Sequence, residues 1–229
     1  MTQFWQALEA RIAAYDLLKH PFYQAWSCGE LTAEDLREYA ADYYHHVSAF
    51  PTYLSALHAQ LPDSGLRRTV LENLMDEEGI GSPDARPHSE LWMDFAEGMG
   101  ADVPAVKQHQ PNAAVKNLIA TFQGLMQEET SAALAALYAY ESQVPRIAVE
   151  KAEGLQKHYG ADARTCRYFT LHQTADIHHS QVWRDLIDQE LEANPEAADV
   201  ALNAAESAAC ALWAALDGVE RKRQSRKAN

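Results

Sequence analysis

The sequence predicts an all-α protein, a single-domain helical bundle of seven or eight helices. The chain is rich in Ala, Leu, Glu and Gln and poor in Val, Ile and Thr, a balance that favours helix over sheet. Apolar residues recur at helical spacing from end to end, and no useful length of chain alternates as a strand would. With 229 residues the chain can build one large core. We predict one domain over residues 1–222 and a basic, disordered tail over 223–229.

Capping patterns and turn-forming residues divide the chain into these helices. Thr32 is a predicted N-cap, and Asp35 completes a weaker form of the capping box. Pro51 is expected to kink the helix that follows or to restart it, and Pro145 to bend a later helix just after Glu141. The segment HPFYQAWSCGEL is predicted as a turn and GIGSPDARP as a loop. The predicted helices cover residues 2–18, 32–48 with a continuation to 60, 64–78, 88–99, 112–128, 130–158, 162–192 and 196–222.

Charge and composition exclude several classes of function. The net charge of −14 argues against a nucleic-acid-binding surface, so no nucleic-acid partner is expected. No apolar run approaches the length of a membrane span, and the amphipathic N-terminus lacks the core of a signal peptide. We therefore predict a cytoplasmic protein with no membrane partner. Cys28, Cys166 and Cys210 are widely spaced and outside any CxxC pattern, which is typical of reduced thiols.

Three polar side chains interrupt the buried stripe of one predicted helix. His172, Asp176 and His179 fall within about 60° of arc on a helix with 100° per residue, among the aromatic and aliphatic residues of YFTLHQTADIHHSQVW. Burying two imidazoles and a carboxylate without partners would cost roughly several kcal/mol. A hydrogen-bonded core histidine with an ion-paired aspartate is the structural alternative. A bound cation is the simpler explanation, because neutral imidazole and carboxylate are ordinary metal ligands.

Further ligands are expected from other helices. Glu141 shares an apolar stripe with Leu134, Leu137 and Tyr138, where it is either a ligand or the partner of a buried base. The segment ENLMDEEG offers Glu77 or Glu78, and periodicity does not choose between them. His88 opens the next predicted helix, where it is either a ligand or a surface cap residue.

Together these residues supply six nitrogen and oxygen ligands and no thiolate. Such a set suits two divalent first-row metals, iron or manganese, better than a structural zinc. A carboxylate-rich dinuclear centre in a helical bundle commonly activates dioxygen, which makes O2 the expected co-substrate by analogy of architecture. Tyr39, Asp42, Tyr43 and His46 can share one helical face, where they either line a pocket or pack in the core.

The chain resembles the haem-oxygenase-like dimetal oxidases of the TenA/PqqC superfamily, and within them the self-sacrificing p-aminobenzoate synthases known from Chlamydia. The resemblance spans nearly the whole chain before the C-terminal helix. It rests on the segments HPFYQAWSCGEL, YAADYYHHVSAFPTYLSALH, ENLMDEEG with HSELW, ALYAYESQVPRIAVEK and YFTLHQTADIHHS. It implies a dinuclear centre of iron with manganese, or of two irons, whose ligands are Glu77, His88, Glu141, His172, Asp176 and His179.

The resemblance also implies an unusual reaction. Oxygen activated at the dimetal centre cleaves the side chain of a protein tyrosine, and its ring becomes p-aminobenzoate for folate biosynthesis. Tyr23 matches the sacrificed tyrosine, Lys151 the proposed amino donor, and Tyr168 a tyrosine near the centre that fits a radical relay. An external reductant is then needed, and a homodimer is one assembly that the sequence allows.

Two departures from the family separate this chain from its chlamydial relatives. The segment between Glu77 and His88 is longer here, so His88 is the ligand expected to fail if any does. The cysteine-rich tail of the relatives is replaced by RKRQSRKAN, so no death-domain partner is expected.

Three other functions remain open at this point. The dimetal centre could act on an external substrate such as a fatty or amino acid. A metal-free, thiaminase-II-like hydrolase would instead use a nucleophilic cysteine, with Asp42 binding the substrate. The third alternative is a non-catalytic helical interaction module, in which the buried polar cluster is structural.

Overall fold

The structure is a computed structural model that describes residues 1–228 of the chain. Over that range it consists of helices and their connections, with no strand, which confirms the predicted all-α class. Eleven α-helices are present in the described residues, more than the seven or eight predicted. They are α1 (Thr2–Ala13), α2 (Pro21–Cys28), α3 (Ala33–Gln60), α4 (Ser64–Glu77), α5 (His88–Gly98), α6 (Val103–Gln108), α7 (Ala113–Leu125), α8 (Thr130–Glu141), α9 (Val144–Tyr159), α10 (Arg167–Ala193) and α11 (Ala198–Lys227).

Helix α2 forms where the sequence predicted a turn. Its start is capped by the His20 side chain, which accepts a hydrogen bond from the backbone N–H of Phe22, and Pro21 occupies the first helical turn, where no N–H is needed. Gly29 ends the helix in the left-handed conformation with φ 73°. These local signals define the start and the end of a helix that places Tyr23 on its buried face.

The two prolines in predicted helices have different effects. Pro51 lies inside α3, which continues to Gln60 because its flanking residues Phe50 and Tyr53 are packed in the core. The capping box of Thr32 and Asp35 is present as predicted. Pro145 separates α8 from α9 instead of bending one helix, because it has no N–H to donate to the carbonyl of Glu141.

The expected disordered tail is helical in the described residues. Helix α11 extends to Lys227, beyond the predicted end at 222, and Arg223 is buried beside Glu220. Arg226 forms ion pairs with Asp35 and Glu38 of α3. Residues 223–227 thus continue α11 in place of the predicted disorder, because Arg223 and Arg226 meet carboxylates of α3. Asn229 lies outside the described residues.

Packing around α8 and α10 determines where polar side chains meet in the interior. Helix α8 is buried on nearly every face, and its alanines let α10 and α11 pack directly against it. Helix α10 also packs on α5 and α9, and α4 lies against both α3 and α10. The inward faces of α4, α5, α8 and α10 therefore share one region of the core. Among residues 1–228, no helix combines the length and apolar content that a bilayer span requires.

Close packing of α2 on α9 fixes a second buried region next to the first. A Cβ at Gly154 would lie 2.8 Å from the Trp26 ring, so only glycine permits this approach. The indole Nε1 of Trp26 donates a hydrogen bond to the backbone carbonyl of Lys151 at 3.2 Å. This contact brings the side chain of Lys151 next to that of Tyr23.

Candidate metal centre

Two groups of three buried side chains offer ligand atoms that converge. The first consists of Glu77 at the end of α4, His88 at the start of α5 and His172 in α10. The second consists of Glu141 at the end of α8 with Asp176 and His179 in α10. Within each group, one ligand atom from every residue lies within 4.8 Å of the others. The structure thus brings together the six residues that the family resemblance implied as ligands.

The two groups face one another across a small shared cavity of about 10 Å³. Its wall includes Glu77 and His172 from the first group, and Glu141 and Asp176 from the second. The groups are therefore halves of one centre and not two separate sites.

His88 occupies its place despite the longer connection from Glu77. Gly79 closes the neck of the intervening loop: its φ is 67°, and a Cβ there would lie 2.2 Å from the carbonyl carbon of Arg86. Arg86 also forms an ion pair with the buried Asp94 of α5. The loop thus leaves Nδ1 of His88 2.9 Å from Oε2 of Glu77.

The donor atoms of this centre fit metal ions. His88 Nδ1 and His179 Nδ1 are both buried and lack a well-formed hydrogen bond, although each faces a carboxylate of its own group. Unsatisfied buried polar atoms are rare in proteins, and a cation between imidazole and carboxylate would satisfy them. Nitrogen and oxygen ligands without sulfur suit iron and manganese.

An aromatic chamber lies beside the centre. It is a cavity of about 30 Å³ whose wall includes Tyr23 and Lys151 at one end and the candidate ligand His172 at the other. Tyr140 and Tyr168 line both this chamber and the cavity between the two groups. The rings of Tyr168 and His172 are 4.2 Å apart between centroids.

Lys151 is buried among phenol rings. Its Nζ donates hydrogen bonds to the hydroxyl groups of Tyr23 at 2.8 Å and Tyr39 at 2.6 Å. The two hydroxyls are themselves 3.1 Å apart. The amine also lies 4.2 Å from the centroid of the Tyr23 ring. One amine therefore contacts the hydroxyl groups of two tyrosines.

The fold is shared with a solved structure. A crystal structure of a domain with a heme oxygenase-like fold from Shewanella denitrificans superposes with a TM-score of 0.81, covering 99% of this chain and 94% of that one. The sequence identity is 17%, so this likeness concerns the fold alone. It confirms the predicted haem-oxygenase-like bundle.

Sequence comparison decides the family. Residues 37–213 match a family of iron-containing redox enzymes. A 4-aminobenzoate synthase of Nitrosomonas europaea is 42% identical, over 94% of this chain and 90% of that protein. A 4-aminobenzoate synthase of Chlamydia pneumoniae is 43% identical, over 82% of each chain. The chain belongs to the family of iron-containing redox enzymes.

Membership in the iron-containing redox enzymes agrees with the donor set described above. Iron is a metal that imidazole and carboxylate bind well, and the six residues come from four helices with inward-facing sides. The family and the two buried groups together indicate a dinuclear metal site.

The ionisable groups of the centre affect one another strongly. Burial raises the pKa of Glu141, and the neighbouring Asp176 carboxylate raises it further. Burial lowers the pKa of His179, but its close contact with the Asp176 carboxylate and the charges of Glu141 and Asp176 outweigh this and raise it to about 9. Without metal, this half of the centre therefore holds protons at neutral pH, which a cation has to displace.

Burial favours the uncharged forms of the two side chains that meet in this chamber. It lowers the pKa of Lys151 well below its ordinary value, which favours the uncharged, nucleophilic amine. Burial raises the pKa of Tyr23 well above its ordinary value, so that the phenol keeps its proton.

Several residues have roles that the sequence left open. Tyr39 contacts Lys151, and a helical face shared with Tyr43 and His46 was the only signal for it. Asp42 lies outside the chamber wall and accepts hydrogen bonds from His109 and from the backbone and side chain of Asn112. Its observed contacts fix the connection before α7. Sequence reasoning missed Tyr140 in the walls of both cavities, although its position next to Glu141 was a usable signal.

The cysteines lie outside the described walls of the candidate site. Cys166 is buried, and its thiol lies 4.0 Å from the carbonyl of Ala152, while Cys28 and Cys210 are exposed. None of the three belongs to the described walls of the chamber or of the cavity between the metal groups. The site therefore offers no cysteine nucleophile for a thiaminase-like reaction.

Proposed function

We propose that this enzyme makes p-aminobenzoate for folate biosynthesis by oxidative cleavage of its own Tyr23 side chain, with Lys151 as the amino donor. Two relatives that are 42% and 43% identical over most of the chain are 4-aminobenzoate synthases. The family of iron-containing redox enzymes supports an oxidative reaction.

The size of the chamber carries the self-sacrifice proposal. Ligand pockets for external small molecules usually measure roughly 300–1,000 Å³. The chamber that joins Tyr23 and Lys151 to His172 measures about 30 Å³, which is room for water or dioxygen but not for a further aromatic ring or an acyl chain. The ring that reacts is then the Tyr23 side chain, which forms part of the chamber wall.

The chemistry of the product agrees with this origin. The ring and Cβ of a tyrosine contain all the carbon of p-aminobenzoate, so the Cα–Cβ bond has to break and Cβ has to become the carboxyl carbon. Nitrogen then replaces the para oxygen, which leaves as water. The Nζ–Cε bond of Lys151 has to break so that the nitrogen stays with the ring, and dioxygen is the oxidant for these cleavages. The Lys151 amine lies 2.8 Å from the para oxygen, and burial lowers its pKa and so favours the uncharged form that a nitrogen nucleophile requires.

Two ions, iron with manganese or two irons, would supply the oxidising power by activating dioxygen when bound. Glu77, His88 and His172 would hold one ion, and Glu141, Asp176 and His179 the other. We propose that Tyr168, whose ring lies 4.2 Å from that of His172, relays an electron and a proton between the centre and the chamber. An external reductant and a cytoplasmic location complete the proposal.

The decisive experiment follows the tyrosine carbon. Protein produced with ring-labelled tyrosine is loaded with iron and manganese without air and then exposed to oxygen in unlabelled buffer containing a reductant. We expect labelled p-aminobenzoate and, by peptide mass spectrometry, loss of the Tyr23 side chain. Unlabelled product, or p-aminobenzoate formed while Tyr23 stays intact, would overturn the self-sacrifice proposal.

Tyr39 is the competing ring, because Lys151 contacts it at 2.6 Å. Unlike Tyr23, Tyr39 is not part of the described chamber wall, which supports Tyr23 as the substrate. Mass spectrometry of the same sample, covering the Tyr39 peptide, distinguishes the two rings.

A further inference from the structure

One face of α4 contacts both halves of the candidate metal centre. Asn73, Asp76 and Glu77 are spaced so that they share this face, and each meets a different candidate ligand. Glu77 is itself a member of the first group and lies beside His88. The other two side chains reach across to the second group, to which α4 contributes no ligand.

Asp76 contacts the second group from the solvent side. Its Oδ2 accepts a hydrogen bond from Nε2 of His179 at 3.2 Å, while its own side chain is 58% exposed. A neutral imidazole, the form that binds a metal, presents Nδ1 as a lone pair when it donates from Nε2. Nδ1 of His179 is the buried, unsatisfied atom that faces Asp176. Asp76 thus selects the tautomer that a metal ligand needs.

The position of Asp76 is unfavourable for the helix alone. The last turn of α4 carries Asp76 and Glu77, the cap residue is Glu78, and no basic residue is present there. Carboxylates at a helix C-terminus oppose the helix dipole. The hydrogen bond from His179 offsets the unfavourable interaction of Asp76 with the helix dipole. The position of Asp76 is therefore explained by its contact with the candidate metal centre.

Asn73 orients the carboxylate of the same group. Its Nδ2 donates a hydrogen bond to Oε1 of Glu141 at 3.3 Å, and Trp183 Nε1 donates to Oε2. Asn73 is buried, and its Oδ1 has no hydrogen-bond partner among the described residues. The Asn73 amide therefore orients the Glu141 carboxylate, although its own carbonyl oxygen is left without a hydrogen bond.

We propose that Asn73 and Asp76 are positioning residues that prepare the Glu141–Asp176–His179 half to bind its ion, while the Glu77–His88–His172 half does not depend on them. This inference rests on the proposed metal centre. Its specific consequence is selectivity: losing Asp76 weakens one of the two metal positions and leaves the other unchanged.

The test uses the full chain and Mn²⁺ alone. Asp76→Ala removes the hydrogen bond to His179, and Asp76→Asn keeps a neutral oxygen that can still accept it. Asp84→Ala is the matched control, because Asp84 is an exposed carboxylate in a surface groove of about 340 Å³ that Asp76 also lines, and it forms no hydrogen bond or ion pair with a candidate ligand among the described residues. Metal content, chelator competition and the electron paramagnetic resonance spectrum of Mn²⁺ are measured for each protein.

We expect the unchanged protein and Asp84→Ala to bind two ions with the spectrum of a coupled pair. Asp76→Ala should keep one ion at unchanged affinity and bind the other roughly 10–100-fold more weakly, with the spectrum of an isolated ion. Asp76→Asn should recover most of that loss, which the loss of a negative charge alone would not allow.

Other results would overturn the inference. Two ions held by Asp76→Ala at unchanged affinity would show that His179 needs no support. Equal weakening by Asp84→Ala would assign the effect to the charge of the groove, and equal loss of both ions would remove the selectivity. If the unchanged protein binds no metal, the proposed centre itself fails, and that outcome is visible before any variant is compared.

Discussion

The Nζ atom of Lys151 lies 2.8 Å from the hydroxyl oxygen of Tyr23, with both side chains buried among aromatic rings. A charged ammonium in this position would lack a carboxylate partner, and its pKa is lowered by burial alone. Burial therefore favours an uncharged amine beside a protonated phenol. This relationship has consequences for product formation and for the pH dependence of stability.

Replacing Lys151 should abolish product formation without affecting metal binding. Lys151→Met keeps the length of the side chain but removes the amine, so we expect p-aminobenzoate to fall below detection while both ions remain bound. Product analysis and metal content measure these two results. Undiminished product would show that nitrogen comes from elsewhere.

The same variant should change how stability depends on pH. Because burial lowers the pKa of Lys151, the unfolded chain binds one more proton than the native chain between the lowered pKa and the ordinary value of 10.5. Stability of the unchanged protein therefore gains from rising pH in that window, by at most about 1.4 kcal/mol per pH unit. Lys151→Met lacks this gain.

Urea unfolding of both proteins at several pH values up to 10 tests this. The free energy of unfolding of Lys151→Met minus that of the unchanged protein should decrease as the pH rises. A constant difference would mean that Lys151 stays charged in the folded chain. All other titrating groups are common to both proteins and cancel in the difference.

Two phenylalanine variants should identify the reacting ring. Tyr23→Phe is expected to keep its metals and make no product, because the ring without its hydroxyl has no para oxygen to exchange. Tyr39→Phe should still make product, since Lys151 and Tyr23 keep their mutual contact. Each variant should lose about 1 kcal/mol of stability through its missing hydrogen bond. Product from Tyr23→Phe and none from Tyr39→Phe would reverse the assignment.

The sequence indicated which buried polar side chains meet in the core, but not how they are grouped. His172, Asp176 and His179 lie on one stripe of α10 as expected, but His172 belongs with Glu77 and His88 while the other two belong with Glu141. A helix rises about 1.5 Å per residue, so the four residues from His172 to Asp176 span about 6 Å, enough to divide one stripe between two ions. Sequence periodicity shows in which direction around the helix axis a side chain points. It does not show which neighbouring helix that side chain meets at its position along the axis.

Other features of the structure could not be predicted from the sequence for a similar reason. Asp76 follows the pattern of an exposed helix residue, and only the approach of α10 turns it toward His179. The last turns of α11 also resembled a solvated tail, because their partners Asp35 and Glu38 are remote in sequence. Local signals such as the capping box at Thr32 were predicted correctly since they need no distant partner.

Loss of a ligand should remove metal from the centre and reveal how much the ions stabilise the fold. His172→Ala takes away a buried imidazole of the first group, so we expect its ion to be lost. Addition of a chelator should lower the Tm of the unchanged protein, because ions that bind only the native state stabilise it. In His172→Ala the decrease should be smaller. His58→Ala, a substitution on α3 outside both groups, should behave like the unchanged protein.

Metal affinity should rise with pH across the neutral range. In the metal-free protein the pKa of His179 is raised to about 9 and that of Glu141 is raised as well, so both hold protons at pH 7. A cation has to displace these protons, and fewer remain to be displaced as the pH approaches 9. Titration of the metal-free protein with Mn²⁺ at pH 6, 7 and 8 should therefore give progressively tighter binding, with proton release measurable in weakly buffered solution. Because the raised pKa values belong to the Glu141–Asp176–His179 half, the steeper pH dependence should belong to one of the two ions. Binding that is independent of pH at both positions would contradict the assignment of His179 and Glu141 as ligands.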